Sequence, residues 1–293
     1  MAAAVDLSAW TQTVAERFPA LSAPQSAVPA RWSRAIVAAG GCGLQSAALH
    51  LSAALGEEFD AARQRLREWY KPASAESGAR RAEFDPADCS GPLFSWILSL
   101  RQGPDLVLAL DATTLKDRFT VLAAAVLYRG TALPVAWRIL PATARGAWKP
   151  HRLELLSRLS GLTPPGVRVL VLTDRGLYAR WLLRAIARAG RHPVMRVNAF
   201  NGEFRPGGRQ APLALADAAP RPGDRFCSAG TVFRDPDARL ACTLTARRGA
   251  DHADPWRIFR RRRPTRRCTA CGRGSNGGSG SPRPGAGTGS GRG

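Results

Sequence analysis

Two short apolar runs, each ending in an aspartate, constrain this chain more than any other feature. LVLAL (106–110) leads directly into Asp111, and VRVLVLT (167–173) directly into Asp174. A short run without polar alternation marks a strand covered on both faces. Two such strands require a sheet with helices packed over it. Each aspartate is then expected at the carboxyl end of its strand, where an open sheet commonly presents its ligand site.

The segments around these runs set the order of elements. FTVLAAAVLY (119–128) and TALPVAWRIL (131–140) read as strands, with Arg129-Gly130 between them as a hairpin turn. PHRLELLSRLSG (150–161) reads as a helix with Pro150 near its start, and LYARWLLRAIARAG (177–190) as a helix closed by Gly190. PVMRV (193–197) is a fifth strand. Three strands in succession suit an antiparallel meander, and the later helical crossovers suit parallel pairing. The expected class is α/β: a ribonuclease H-like mixed sheet over 105–200 with helices on both faces.

The flanks differ in texture. Residues 1–100 read as a helical region for DNA binding, with apolar positions three and four apart in 31–40, 44–56 and 57–70 and a loop over 71–92. Residues 203–259 read as a β-rich insertion, with strands in DRFCSAGTVF and RLACTLTARRG. From 260 to 293 no aliphatic residue is larger than alanine, so a disordered Arg/Gly-rich tail is expected there.

The formal charge is +21, which favours polyanionic partners because neutralising phosphates releases condensed counterions. Forty of the 43 basic residues are arginine, a bias that fits a GC-rich genome. No apolar run approaches the ~18 residues of a membrane span. The start, MAAAVDLSAW, lacks the basic and apolar regions of a signal peptide, and six scattered cysteines make no disulfide framework. A soluble, cytoplasmic protein is expected.

If the two apolar strands are neighbours, Asp111 and Asp174 converge. Convergent carboxylates repel unless a cation joins them, and hard oxygen ligands suit Mg²⁺ or Mn²⁺. The competing reading makes each aspartate a cap, Asp174 for the helix near Leu177; two strand-end aspartates in one topology weigh against it. Arg175, Tyr178 and Arg180 follow Asp174 and are candidates for phosphate contact, with a solvated helix face as the other reading. Cys268 and Cys271 have zinc-knuckle spacing but no second ligand pair. Glu203, Asp251 and Asp254 are candidate surrogate acids that read better as solvated loop residues. His50, His151, His192 and His252 share no metal spacing.

LALDATTLKDRFTVLAAAVLYRGTALPVAWRILPA and LVLTDRGLYARWLLRAI resemble the first and second catalytic segments of bacterial DDE transposases of the insertion-sequence-four-like group. The resemblance covers roughly 105–198 well, and 1–100 and 203–259 more loosely. It implies Mg²⁺-dependent cleavage at transposon ends with Asp111 and Asp174 as metal ligands, followed by attack of the freed 3′-hydroxyl on target DNA. It also implies double-stranded DNA as partner, self-association on that DNA, and 203–259 as the insertion before a third acid.

That acid is a glutamate in the pattern Tyr, two residues, Arg, three residues, Glu, six residues, Lys, and no such helix follows Phe259. Read from the third base of each codon, Cys268 to Gly280 can encode Tyr-Gly-Leu-Arg-Ala-Trp-Ile-Glu-Arg-Gly-Phe-Arg, with the glutamate straddling Ser275 and Asn276. A frameshift after about Phe259 is therefore expected, with impaired activity. The alternatives are a non-catalytic DNA-binding protein and a structure-selective nuclease on the same core.

Overall fold

The computed structural model describes residues 6–72, 85–144, 146, 148–198, 203–208, 211–233, 237, 239–251 and 255–261. Four helices come first: α1 (Leu7–Arg17), α2 (Ala23–Ala39), α3 (Leu44–Leu55) and α4 (Phe59–Glu68). Helix α2 starts well before the expected Arg31, because Gln25 accepts a hydrogen bond from the Ser22 N–H at 3.0 Å and Pro24 fits a first turn. It ends at Gly40, whose φ of 64° suits a residue without Cβ. Ala35, Ala47, Ala48, Leu51, Ala62 and Leu66 form a small core of their own. The Trp32 indole N–H donates to the Leu66 carbonyl at 3.0 Å and ties α2 to α4.

The expected loop over 71–92 ends earlier than its last residues. Asp85 accepts from the Ala87 N–H at 2.8 Å, which opens a 3₁₀ turn over Pro86–Cys89 and then α5 (Ser90–Ser99). The Asp-Pro pair that reads as a loop is here a helix start. Phe94 and Ile97 of α5 belong to the main core.

Strands β1 (Asp105–Leu115), β2 (Phe119–Tyr128) and β3 (Thr131–Pro141) form the antiparallel meander. Arg129 and Gly130 make the second turn, with φ of 47° and 82°, as expected. The first turn is unannounced by glycine: Lys116 and Asp117 both take positive φ, 47° and 55°. Helix α6 (Trp148–Ser160) leads to β4 (Arg168–Thr173), and α7 (Arg180–Arg188) to β5 (His192–Arg196). β4 pairs in parallel with both β1 and β5. Helix α7 starts later than the expected residue 177, because a 3₁₀ turn occupies Arg175–Leu177.

The remaining strands, β6 (Glu203–Pro206), β7 (Leu213–Ala214), β8 (Arg225–Val232), β9 (Leu240–Arg247) and β10 (Trp256–Arg261), extend the same sheet. The strand order is β3-β2-β1-β4-β5-β10-β9-β8-β6-β7, so the fold is α/β on one large mixed sheet. Phe204, Val232, Leu244 and Phe259 share a single core with Leu108 and Val171. Strand β10 includes Arg260 and Arg261, so the sheet runs two residues into the expected tail; residues 262–293 lie outside the described residues.

Helices on both faces of the first five strands were expected, but the two crossover helices share one face. Helix α6 packs on α7, on α5 and on β2 and β3, while α7 packs on β5. The reason is handedness: both right-handed crossovers, β3 to β4 and β4 to β5, move the same way across the sheet. Beneath them Leu106, Leu108, Leu110, Val169, Val171 and Met195 are buried. The alternate residues Val107, Ala109, Leu170, Leu172 and Val194 face the other way and are only partly buried.

Candidate active site

Strands β1 and β4 begin in register at Asp105 and Arg168, and these two side chains make a two-pronged ion pair. From that pair the strands match residue for residue up to Leu110 and Thr173. Asp111 and Asp174 are therefore the next residues on adjacent parallel strands, whose spacing is ~4.8 Å. Alternation places Asp111 on the face of Val107 and Ala109, and Asp174 on the face of Leu170 and Leu172, which is the same face. Both are exposed.

One expectation needs correcting. Asp111 does not end its strand; β1 continues to Leu115, paired only with β2 through the positive-φ turn at Lys116 and Asp117. It stands where the pairing with β4 stops, so Asp111 opens a stretch of β1 that pairs with β2 alone rather than ending the strand.

Neither aspartate's side chain caps a helix. Asp174 precedes the 3₁₀ turn, yet its side chain makes no capping bond. Instead its Oδ1 accepts from Arg196 Nη1 at 3.5 Å. The Arg196 guanidinium lies 4.2 Å from the centroid of the Trp256 ring, which joins β5 and β10 to the site. Asp111 Oδ2 accepts from Thr113 Oγ1 at 3.3 Å.

Arg152 is the residue that sequence reading passed over. It is only 4% exposed, its Nη2 has no hydrogen-bond partner, and its guanidinium sits 5.5 Å from the Trp148 ring centroid. Burial pushes its pKa down, and the negative charge of Asp111 pushes it back up. The signal was present in the helix pattern: Arg152, Leu155, Leu156 and Leu159 form one buried stripe, with an arginine where an apolar residue belongs. Arg196 was also legible, as the outward residue of an alternating PVMRV strand.

The three residues after Asp174 part company. Arg175 is exposed in the 3₁₀ turn, and Arg180 opens α7 half-buried. Tyr178 turns inward: its ring stacks on Phe233 at 5.5 Å and leans on Phe259 at 5.8 Å, and its hydroxyl is buried without a partner. That burial raises its pKa well above the usual tyrosine range.

Glu203 lies on β6 beside Arg205, 3.4 Å away, and Asp251 is exposed in a turn. His50 is exposed, His151 lies 4.0 Å from Glu154, and His192 opens β5. Asp254, His252, Cys268 and Cys271 lie outside the described residues. Among the described residues, no three or more His, Cys, Asp or Glu side chains are gathered as a metal site would require.

Chemically, Asp111 and Asp174 offer a pair of hard oxygen ligands open to solvent. Mg²⁺ keeps several waters and is commonly held by one or two carboxylates together with substrate phosphate, so the donor set fits it. No family model matches the chain, and no curated protein matches it either. No single helix among the described residues is long and apolar enough to cross a membrane.

Proposed function

We propose that this chain is a DDE-type DNA transposase by lineage, with a ribonuclease H-like core formed by β1 to β5 and their crossover helices. The observation that carries the reading is the placement of Asp111 and Asp174 at the matched position just past Leu110 and Thr173 of adjacent parallel strands, on one face. The strand order β3-β2-β1-β4-β5 supports the core assignment, and the resemblance of the two aspartate segments supports the chemistry.

Asp111 and Asp174 would hold Mg²⁺ or Mn²⁺, which when bound activates a water and stabilises the leaving oxygen of a phosphodiester. Arg196 draws the Asp174 carboxylate toward β5, and Thr113 orients that of Asp111. The third acid belongs to the alternative reading frame. In the chain as written the site is therefore impaired, and DNA binding outlasts cleavage. That gap also favours a second reading, a non-catalytic DNA-binding protein, because among the described residues no group of three or more potential metal ligands forms.

The test begins with Mn²⁺ binding, followed by electron paramagnetic resonance. Wild type should bind one ion weakly, and Asp111→Ala or Asp174→Ala should remove it; unchanged binding in both variants overturns the metal assignment. Inserting one base (or deleting two) near codon 259, which restores the Tyr-Arg-Glu-Lys frame, should then recover Mg²⁺-dependent cleavage at the flanking terminal repeats. Asp111→Ala in that repaired chain should abolish it. Full-rate cleavage by the unrepaired chain would overturn the frameshift account.

A further inference from the structure

Away from the two aspartates, α6 and α7 enclose an open groove of about 620 Å³, lined by Lys149, Leu153, Arg180, Trp181, Arg184 and Arg188. Four of these residues are cationic and none is acidic. The arginines recur every fourth residue, so they stand on one face of α7 with ~6 Å of rise between them and ~12 Å from first to last. Lys149 lies over the Trp181 ring, its Nζ 5.9 Å from the centroid, which places a fourth charge and an aromatic face in the same groove.

This row works against the helix that carries it. Like charges at i, i+4 destabilise a helix by ~0.2–0.5 kcal/mol per pair. Among the described residues, neither Arg184 nor Arg188 is in an ion pair that would offset the repulsion. Packing does not require the charges either, since α7 buries Leu182, Leu183 and Ile186 on its other side. A feature that costs stability and fills no core fits an anionic ligand.

The row also has a direction. Helix α7 begins six residues after Asp174, at the end of the sheet where the carboxylates stand, and returns antiparallel to β4 and β5. Arg180 is thus at the carboxylate end and Arg188 at the far end.

We propose that the α6–α7 groove is a track for the phosphate backbone of duplex DNA, leading away from the Asp111–Asp174 pair along α7. The proposal deepens the transposase reading and rests on it for the position of the reacting end. Each phosphate contact contributes about −0.9 to the slope of log binding constant against log salt. Removing two contacts should therefore make the slope shallower by about 1.8.

The experiment uses the full chain and a fluorescent duplex of fixed sequence, with anisotropy measured across a potassium chloride series. Arg184→Ala/Arg188→Ala should lose that slope while melting at the same or a higher temperature. Arg184→Lys/Arg188→Lys should keep the slope, because a point charge suffices for a phosphate. Arg138→Ala/Arg225→Ala, which removes the same charge from exposed strand positions, should change it by less than half as much. An unchanged slope in the alanine pair, or an equal loss in the control pair, overturns the track. So does a loss confined to binding of phosphatidylserine vesicles, which would make the groove a membrane contact. Failure of the wild-type chain to bind duplex at all would instead remove the functional reading on which the track rests.

Discussion

Arg152 and Asp111 show how a single buried charge can tune a site. A guanidinium with an unpartnered Nη2, 4% exposed, carries a desolvation cost that hydrogen bonding does not offset. What opposes that cost is the Trp148 ring and the field of the Asp111 carboxylate. The same field couples Arg152 to any cation that Asp111 accepts, because two positive charges then share one carboxylate. Arg152→Met keeps the volume and removes the competitor. It should tighten Mn²⁺ binding by about three- to tenfold at low salt, with the gain shrinking at high salt as screening grows. Titration calorimetry on wild type and variant checks this, and weaker binding in the variant would mean that Arg152 positions Asp111 rather than competing for it.

At the scale of elements, the register of β1 against β4 decides the site. A slip of one residue would move Asp111 away from Asp174 and turn the leucine row of β1 outward. The buried row fixes the face, and the Asp105–Arg168 pair marks the start of the match. The Arg168 side-chain hydrogen bond holds the Asp105 carboxyl below its ordinary value, against a smaller opposing effect of burial. Its folded pKa is thus lower than its unfolded one. The pair's contribution is complete above the ordinary aspartate range of ~3.9 and fades as pH falls through the lower folded value. Urea midpoints measured from pH 6 down to pH 3 should fall more steeply for wild type than for Asp105→Asn. Parallel curves would show that the ion pair adds nothing to the strand pairing.

For the molecule as a whole, the sheet is covered unequally. One face of β1 to β5 lies under α5, α6 and α7, while the other carries Asp111, Asp174 and a half-exposed apolar field. At its edge, Ile139 is 56% and Trp137 37% exposed, opposite Val121 and Ala123 of β2. Apolar patches of this kind seldom stay uncovered in a monomer. The chain as written should therefore self-associate in sedimentation velocity runs as its concentration rises. Ile139→Lys together with Trp137→Lys should shift it toward monomer without lowering its melting temperature by more than a few degrees. A wild-type chain that remains monomeric throughout would sink this expectation.

Much of this was settled by local chemistry. The apolar runs ending at Asp111 and Asp174, the Arg129-Gly130 turn and the helical spacing of 150–161 and 177–190 specify their elements through period and turn geometry alone, which are properties of neighbouring residues. The Arg180, Arg184 and Arg188 row is legible for the same reason. What the sequence could not decide is where elements meet. The continuation of β1 past Asp111 depends on pairing with β2 through a turn of two positive-φ residues that are not glycine. The shared face of α6 and α7 depends on crossover direction, and the inward rotation of Tyr178 depends on Phe233 and Phe259, both distant in sequence. The electrostatic influence of Asp111 on Arg152 likewise arises only when a helix and a strand 41 positions apart are packed together. Periodicity fixes which side of an element is apolar; only packing fixes what that side, and the opposite one, will face.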